Sequence, residues 1–170
     1  RIRGTLLMAY SNQHHHMVLT TSNKSETAVG YTTLYGDMAG GFAVLKDVLK
    51  TEVYALARYR NTLSPIIPER VLTRPPSAEL APDQKDEDNL PAYPLLDAII
   101  EDYMVNNQSI NALLQKGYPE AAVLQVIRLL KISEYKRKQA PPGPKISPRA
   151  FGKDWQMPIT SGFFEKKQGL

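Results

Sequence analysis

Apolar residues gather in short blocks along the chain, and the spacing inside each block assigns an element. Ile2 to Tyr10 is an apolar, helix-compatible run that starts at the first residue without a cap, which reads as a chain beginning inside an element, with sequence missing upstream. Met17 to Thr21, MVLTT, has the pattern of a buried strand, and Phe42 to Leu45 is a short run that fits a second one. Between them lies a polar stretch, SNKSETAVGYTTLYGDM, at the carboxyl end of the first strand. In open α/β sheets that edge is where nucleotides bind. Lys50 to Tyr59 carries Val53, Leu56 and Ala57 at helical spacing, which predicts a helix with that face inward and Thr51 as a weak cap.

From Thr62 to Tyr93 the prolines at 65, 68, 75, 76, 82 and 91 and a run of acids forbid regular structure over most of the segment. A loop of that length is a lid, a binding loop or a disordered segment. Three helical patterns follow: Leu95 to Val105, Ser109 to Lys116, and Pro119 to about Lys138 with Ala122, Val123, Val126, Leu129 and Leu130 as the buried stripe. The remainder has no period. The expected fold is α/β, a partial parallel sheet flanked by helices with a helix-rich carboxyl-terminal half.

The chain has 170 residues, 42% hydrophobic and 22% charged, which suits one globular domain or a large piece of one. Cysteine is absent, so disulfides, thiolate metal sites and thiol nucleophiles are excluded, and a cytoplasmic location is expected. No apolar run approaches the roughly 20 residues of a membrane helix. The net charge of +4 is uneven, basic from Glu134 to Lys153 and acidic from Asp83 to Asp88. Without interleaved aromatic or RNP-like motifs the basic segment is not expected to bind nucleic acid. His14, His15 and His16 are adjacent on one short turn and cannot all face one ion, so they read as a surface loop. Phe151 and Trp155 read as anchors for the tail.

TTSNKSE, YGDMAGGFAVLKDVLKT, PPSAEL, DEDNLPAYPLLDAI, EYKRKQAPPGPKIS and FGKDWQMPITSGF, taken in order over nearly the whole chain, resemble the carboxyl-terminal part of glutamine-dependent NAD⁺ synthetase. The resemblance implies an adenine nucleotide alpha hydrolase-like fold of the N-type ATP pyrophosphatases. It also implies ATP-dependent adenylation of the nicotinate carboxylate of deamido-NAD, followed by displacement of AMP by ammonia. The family's SGG-x-DS pyrophosphate loop and its nitrilase-like glutaminase domain are absent from this chain. It is therefore expected to need the upstream part of the same enzyme, and a homo-oligomer is expected too. The resemblance divides the chain into a nucleotide-site portion (1–73), a mobile loop (74–93), a helical portion (94–138) and an irregular tail (139–170).

The same resemblance assigns residues. Thr21 and Ser77 offer hydroxyls to ATP, Glu26 a carboxylate to Mg²⁺ and the dinucleotide site, and Lys50 a catalytic cation for the leaving pyrophosphate. Lys50 opens a helix, where an ammonium added to the positive dipole end makes an anion site. Arg1, Asn23, Asp37, Lys136 and Arg137 are implied for deamido-NAD. Each also has a structural reading: Glu26 as a first-turn acid, Asp37 and Ser77 as turn residues, Lys50 as a solvated lysine, and Lys136 and Arg137 as cations at a helix carboxyl end. The loop from Arg74 to Pro91 is expected to close over ATP through Ser77. Two other function classes stay open: another adenylating ligase with the same ATP site, and a non-catalytic assembly module.

Overall fold

The two predicted strands pair, but the first is not the buried strand its pattern suggests: Met17 is 68% and Leu19 56% exposed, and of Met17 to Thr21 Thr20 alone is buried. In the computed structural model, which describes residues 1–77 and 82–163, β1 (Leu19–Thr20) lies parallel to β2 (Phe42–Ala43), with Leu19 opposite Phe42 and Thr20 opposite Ala43. Eight α-helices form among the described residues: α1 (Ile2–His14), α2 (Lys24–Val29), α3 (Lys50–Leu63), α4 (Glu69–Thr73), α5 (Tyr93–Ile100), α6 (Ile110–Gln115), α7 (Glu120–Ile132) and α8 (Glu134–Arg137). The fold is thus helix-rich with a small parallel sheet. α5 runs on as a π-helical segment over Glu101–Val105.

The core lies between α2, α5, α6 and α7. Ala28, Leu96, Ile99, Ile100, Met104, Leu113, Val123, Val126 and Leu130 are all fully buried there. The spacing of Val123, Val126 and Leu130 is the i, i+3, i+7 stripe of a helix with one apolar face. α2 is short, and its amino end is set by a reciprocal cap: Asn23 Oδ1 accepts the Glu26 N–H at 2.9 Å, and Glu26 Oε2 accepts the Asn23 N–H. It stops at Gly30, whose φ of 66° is the left-handed conformation that ends helices, and a side chain there would run into Ser133.

Two further expectations need correcting. The α3 face of Val53, Leu56 and Ala57 turns inward only in part: Val53 and Ala57 are half-buried, but no residue of α3 is fully buried and Leu56 is 54% exposed. The first turn of α3 is hydrogen-bonded to Ser25 of α2 and Asp97 of α5, and Asn61 in its last turn pairs with the backbone of Ile67. The residue before α3 is Leu49, and Thr51 is no cap, since both its N–H and its hydroxyl go to Asp97. The described part of the segment from Thr62 to Tyr93 is irregular over most of its length, as its prolines suggest, with the short α4 and a 3₁₀ turn at Asp86–Asp88 formed within it. Residues 78–81 of the expected mobile loop lie outside the described residues. Asp86 and Leu90, farther along the same loop, are buried.

The tail carries no regular helix or strand after α8 among the described residues, but it is fastened to the domain. Lys24 and Asp47 form an ion pair at 2.8 Å with both side chains 2% exposed. Lys24 Nζ also donates to Ser147 Oγ and the Arg149 carbonyl, while Asp47 accepts from the N–H groups of Ile146 and Ser147 and the Ser147 hydroxyl. Phe151 and Trp155 pack edge to face at 5.7 Å, and the Arg137 guanidinium lies over both rings.

Candidate functional site

Glu26 sits on the first turn of α2, and Lys50 begins α3. Their side chains meet, Lys50 Nζ donating to Glu26 Oε1 at 3.0 Å, with both groups about one-fifth exposed. The ammonium also faces two aromatic rings, 5.4 Å from the centre of Tyr93 and 5.8 Å from that of Tyr54. It is a held cation on the surface rather than a freely solvated one.

The helix end behind Lys50 is not an open anion site. Its N–H donates to Ser25 Oγ at 2.9 Å, and the Thr51 N–H and hydroxyl donate to Asp97 Oδ2 at 2.9 and 2.8 Å. The Ser25 hydroxyl donates to the other oxygen of Asp97. A protein carboxylate therefore already occupies the positive end of α3. Burial pushes the Asp97 carboxyl above its ordinary value, against the opposing pull of the bonds from Ser25 and Thr51.

Asp37 and Lys136 come together elsewhere. With Gly30, Tyr31, Thr32, Thr33, Gln84 and Asn89 they line a cavity of about 290 Å³. Lys136 Nζ donates to the carbonyls of Gly30 and Thr32, both at 2.7 Å, while Asp37 Oδ1 accepts the Thr33 N–H at 2.7 Å. Burial lowers the Lys136 pKa, and the nearby Asp37 charge opposes that shift. Gln84 donates to the Tyr31 hydroxyl at 3.3 Å. Sequence reasoning does not reach Tyr31, Gln84 and Asn89. Tyr31 follows the glycine that ends α2, and an aromatic residue placed just after such a stop is the available signal.

The other predicted residues are scattered. Asn23 spends its side-chain carbonyl on the α2 cap, and Thr21 is exposed beyond β1, while buried Thr20 lines a narrow cavity with Lys46, Lys136 and Arg137. Arg1 is exposed and donates to the Leu34 carbonyl at 3.1 Å. Ser77 is partly buried and follows Pro76, whose carbonyl accepts the Asp86 N–H at 2.9 Å. Arg137 is 5% exposed and turned inward, donating to Glu134, the Ala28 carbonyl and the Leu130 carbonyl. It joins α8 to the end of α2, and its position suits packing rather than ligand contact. Among the described residues no group of three or more acidic or histidine side chains is disposed to hold a metal ion.

The model of the family described as NAD synthase matches residues 1–140. The chain belongs to the NAD synthase family. It is 60% identical over 165 residues to the glutamine-dependent NAD(+) synthetase of Aquifex aeolicus, covering 97% of this chain and 29% of that protein. To the enzyme of the same name from Acinetobacter baylyi it is again 60% identical, covering 96% of this chain and 30% of that protein. The chain thus spans under a third of the length of these curated relatives. Among solved structures, a glutamine-dependent NAD(+) synthetase from Cytophaga hutchinsonii superposes with a TM-score of 0.63 at 25% identity, over 94% of this chain and 27% of that one. An NMN synthetase from Francisella tularensis gives 0.60 at 27% identity, over 76% of this chain and 47% of that one.

Proposed function

We propose that this chain is the carboxyl-terminal part of an enzyme that converts deamido-NAD to NAD⁺ with ATP, using ammonia released from glutamine by an upstream nitrilase-like domain. The observation that carries the reading is the pair formed by Glu26 and Lys50, a carboxylate and an ammonium held at 3.0 Å where α2 and α3 begin. The cavity of Asp37 and Lys136 supplies a second, separate polar site. In this reading the nicotinate carboxylate attacks the α-phosphorus, pyrophosphate leaves, and ammonia then displaces AMP.

Lys50 stabilises charge on the departing pyrophosphate, because a fixed ammonium in a partly desolvated site acts without reorganising at the moment of reaction. Thr21 and Ser77 offer hydroxyls to ATP. Lys136 and Asp37 hold the dinucleotide, aided by Arg1 and Asn23, and Arg137 anchors α8, the helix that carries Lys136, to the end of α2. Glu26 offers one carboxylate to Mg²⁺, which fits an ion that commonly takes one or two protein carboxylates and fills the rest of its shell with phosphates and water. When bound, that ion supplies neutralisation of phosphate charge. A cytoplasmic homo-oligomer is part of the proposal.

Heavy oxygen in the nicotinate carboxylate tests the reaction class in the complete enzyme. Carboxylate adenylation delivers one labelled oxygen to the phosphate of AMP. Unlabelled AMP would rule it out. Because an NMN synthetase is a structural neighbour, the mononucleotide counterpart of deamido-NAD is a second substrate to assay beside it.

A further inference from the structure

Asp86 lies in the acidic run DQKDED, yet it is 4% exposed and its Oδ1 has no partner among the described residues. Its Oδ2 accepts the hydroxyl of Tyr93 at 2.7 Å. A buried carboxylate with an orphan oxygen is costly, and an apolar residue would pack there more cheaply. What it holds explains the cost better than packing does. Tyr93 begins α5 and is itself 6% exposed, and its ring centre lies 5.4 Å from the Lys50 ammonium. On its backbone side, Asp86 donates its N–H to the carbonyl of Pro76, the residue before Ser77.

We propose that Asp86 is a positioning residue for the Lys50 ammonium, acting through the Tyr93 ring. The proposal rests on the reading of Lys50 as the cation that faces the leaving pyrophosphate. A phenol that donates to a carboxylate has its ring plane fixed and its face enriched in electron density, and both strengthen its hold on a cation. Burial, the Asp86 bond and the Glu26 charge all push the Tyr93 hydroxyl above its ordinary value, so it stays a donor. The ammonium is then located by a carboxylate on α2 and by the Tyr93 and Tyr54 rings, instead of swinging freely on a four-carbon stem. The same aspartate fixes the backbone next to Ser77, so one residue sets the separation of a hydroxyl and a cation proposed for the same triphosphate.

The test uses the complete enzyme, with Tyr93→Phe and Lys50→Met made singly and together, and single-turnover adenylate formation as the readout. Tyr93→Phe keeps the ring and removes its tether, so the rate is expected to fall roughly 3- to 10-fold, a part of one desolvated cation–π contact. The KM for deamido-NAD should not move. In the Lys50→Met background the same change should cost nothing further, because the two act as one unit. Asp86→Asn, whose amide oxygen still accepts the phenol, should retain more rate than Asp86→Leu. An equal loss from Tyr93→Phe in both backgrounds would overturn the proposal while leaving the role of Lys50 intact. A wild-type rate in Lys50→Met would overturn both. Should Tyr93→Phe fail to fold by circular dichroism, the two Asp86 variants in the same two backgrounds decide between the same outcomes.

Discussion

Lys50 and Glu26 illustrate how a residue acquires a role from its neighbours. Each has an ordinary reading, a lysine at a helix start and an acid in a first turn, and together they make an ion pair that, in the proposed function, a metal-bound triphosphate would enter by exchange of partners. Glu26 is shared three ways, since Oε2 closes the α2 cap on the Asn23 N–H and Oε1 holds Lys50, while a Mg²⁺ ion would claim the same carboxylate. Glu26→Gln keeps the size and removes the charge. In the complete enzyme it should slow adenylation by about tenfold or more, since charge at a metal-assisted phosphoryl site is worth several kcal/mol in the transition state. Deamido-NAD affinity measured by titration calorimetry should change far less. An unchanged rate at low Mg²⁺ would remove Glu26 from the metal site. What is legible in the sequence at this scale is the residue type. The partner is not: nothing in KTEVYALARY announces that Asp97 fills the end of α3, because Asp97 lies on a helix 46 residues away.

Among the elements, α5, α6 and α7 are readable because each presents a sustained apolar stripe to one core. α2 is less so, with only six residues and a polar sequence that takes its stability from Asn23, Glu26 and Gly30 at its two ends. The tail is legible only in part. Its aromatic anchors stand out, but the Lys24 and Asp47 pair that fastens it joins residues from three distant segments, a long-range pairing no local pattern encodes. That latch has a pH signature. Burial alone would raise the Asp47 pKa, but the bonds from Lys24, Ser147 and Ile146 outweigh it and hold the carboxyl below its ordinary value. A depressed carboxylate adds stability that is present above the unfolded value, near 3.8, and is lost as pH falls through the lower folded value. Asp47→Asn leaves Lys24 buried without its counter-charge and should cost about 3–5 kcal/mol at neutral pH. Chemical denaturation of both proteins across acid pH should show the gap closing below about pH 4. A gap that stays constant down to roughly pH 2 would contradict the latch.

At the scale of the whole molecule, exposed apolar side chains occur along most of the chain, and α1 carries several of them. On α1, Ile2 is 80%, Leu6 65% and Tyr10 54% exposed, and Leu19 on β1 is 56% exposed. A parallel sheet is normally covered on both faces, and here it has two strands. With relatives more than three times the length of this chain, α1 is expected to be covered within the complete enzyme. Its amides should then exchange more slowly there than in the 170-residue chain alone, and equal exchange in both would leave the helix face unassigned to that enzyme's interior. Lys50→Met tests the proposed chemistry most directly, by keeping the stem and removing the charge. Rapid-quench measurement of AMP and pyrophosphate in the complete enzyme, with circular dichroism as the folding control, should show adenylate formation slowed by roughly 10²-fold, the usual cost of losing one preorganised electrostatic donor. A folded variant whose adenylation burst matches the wild type would show that Lys50 is only a surface charge paired with Glu26.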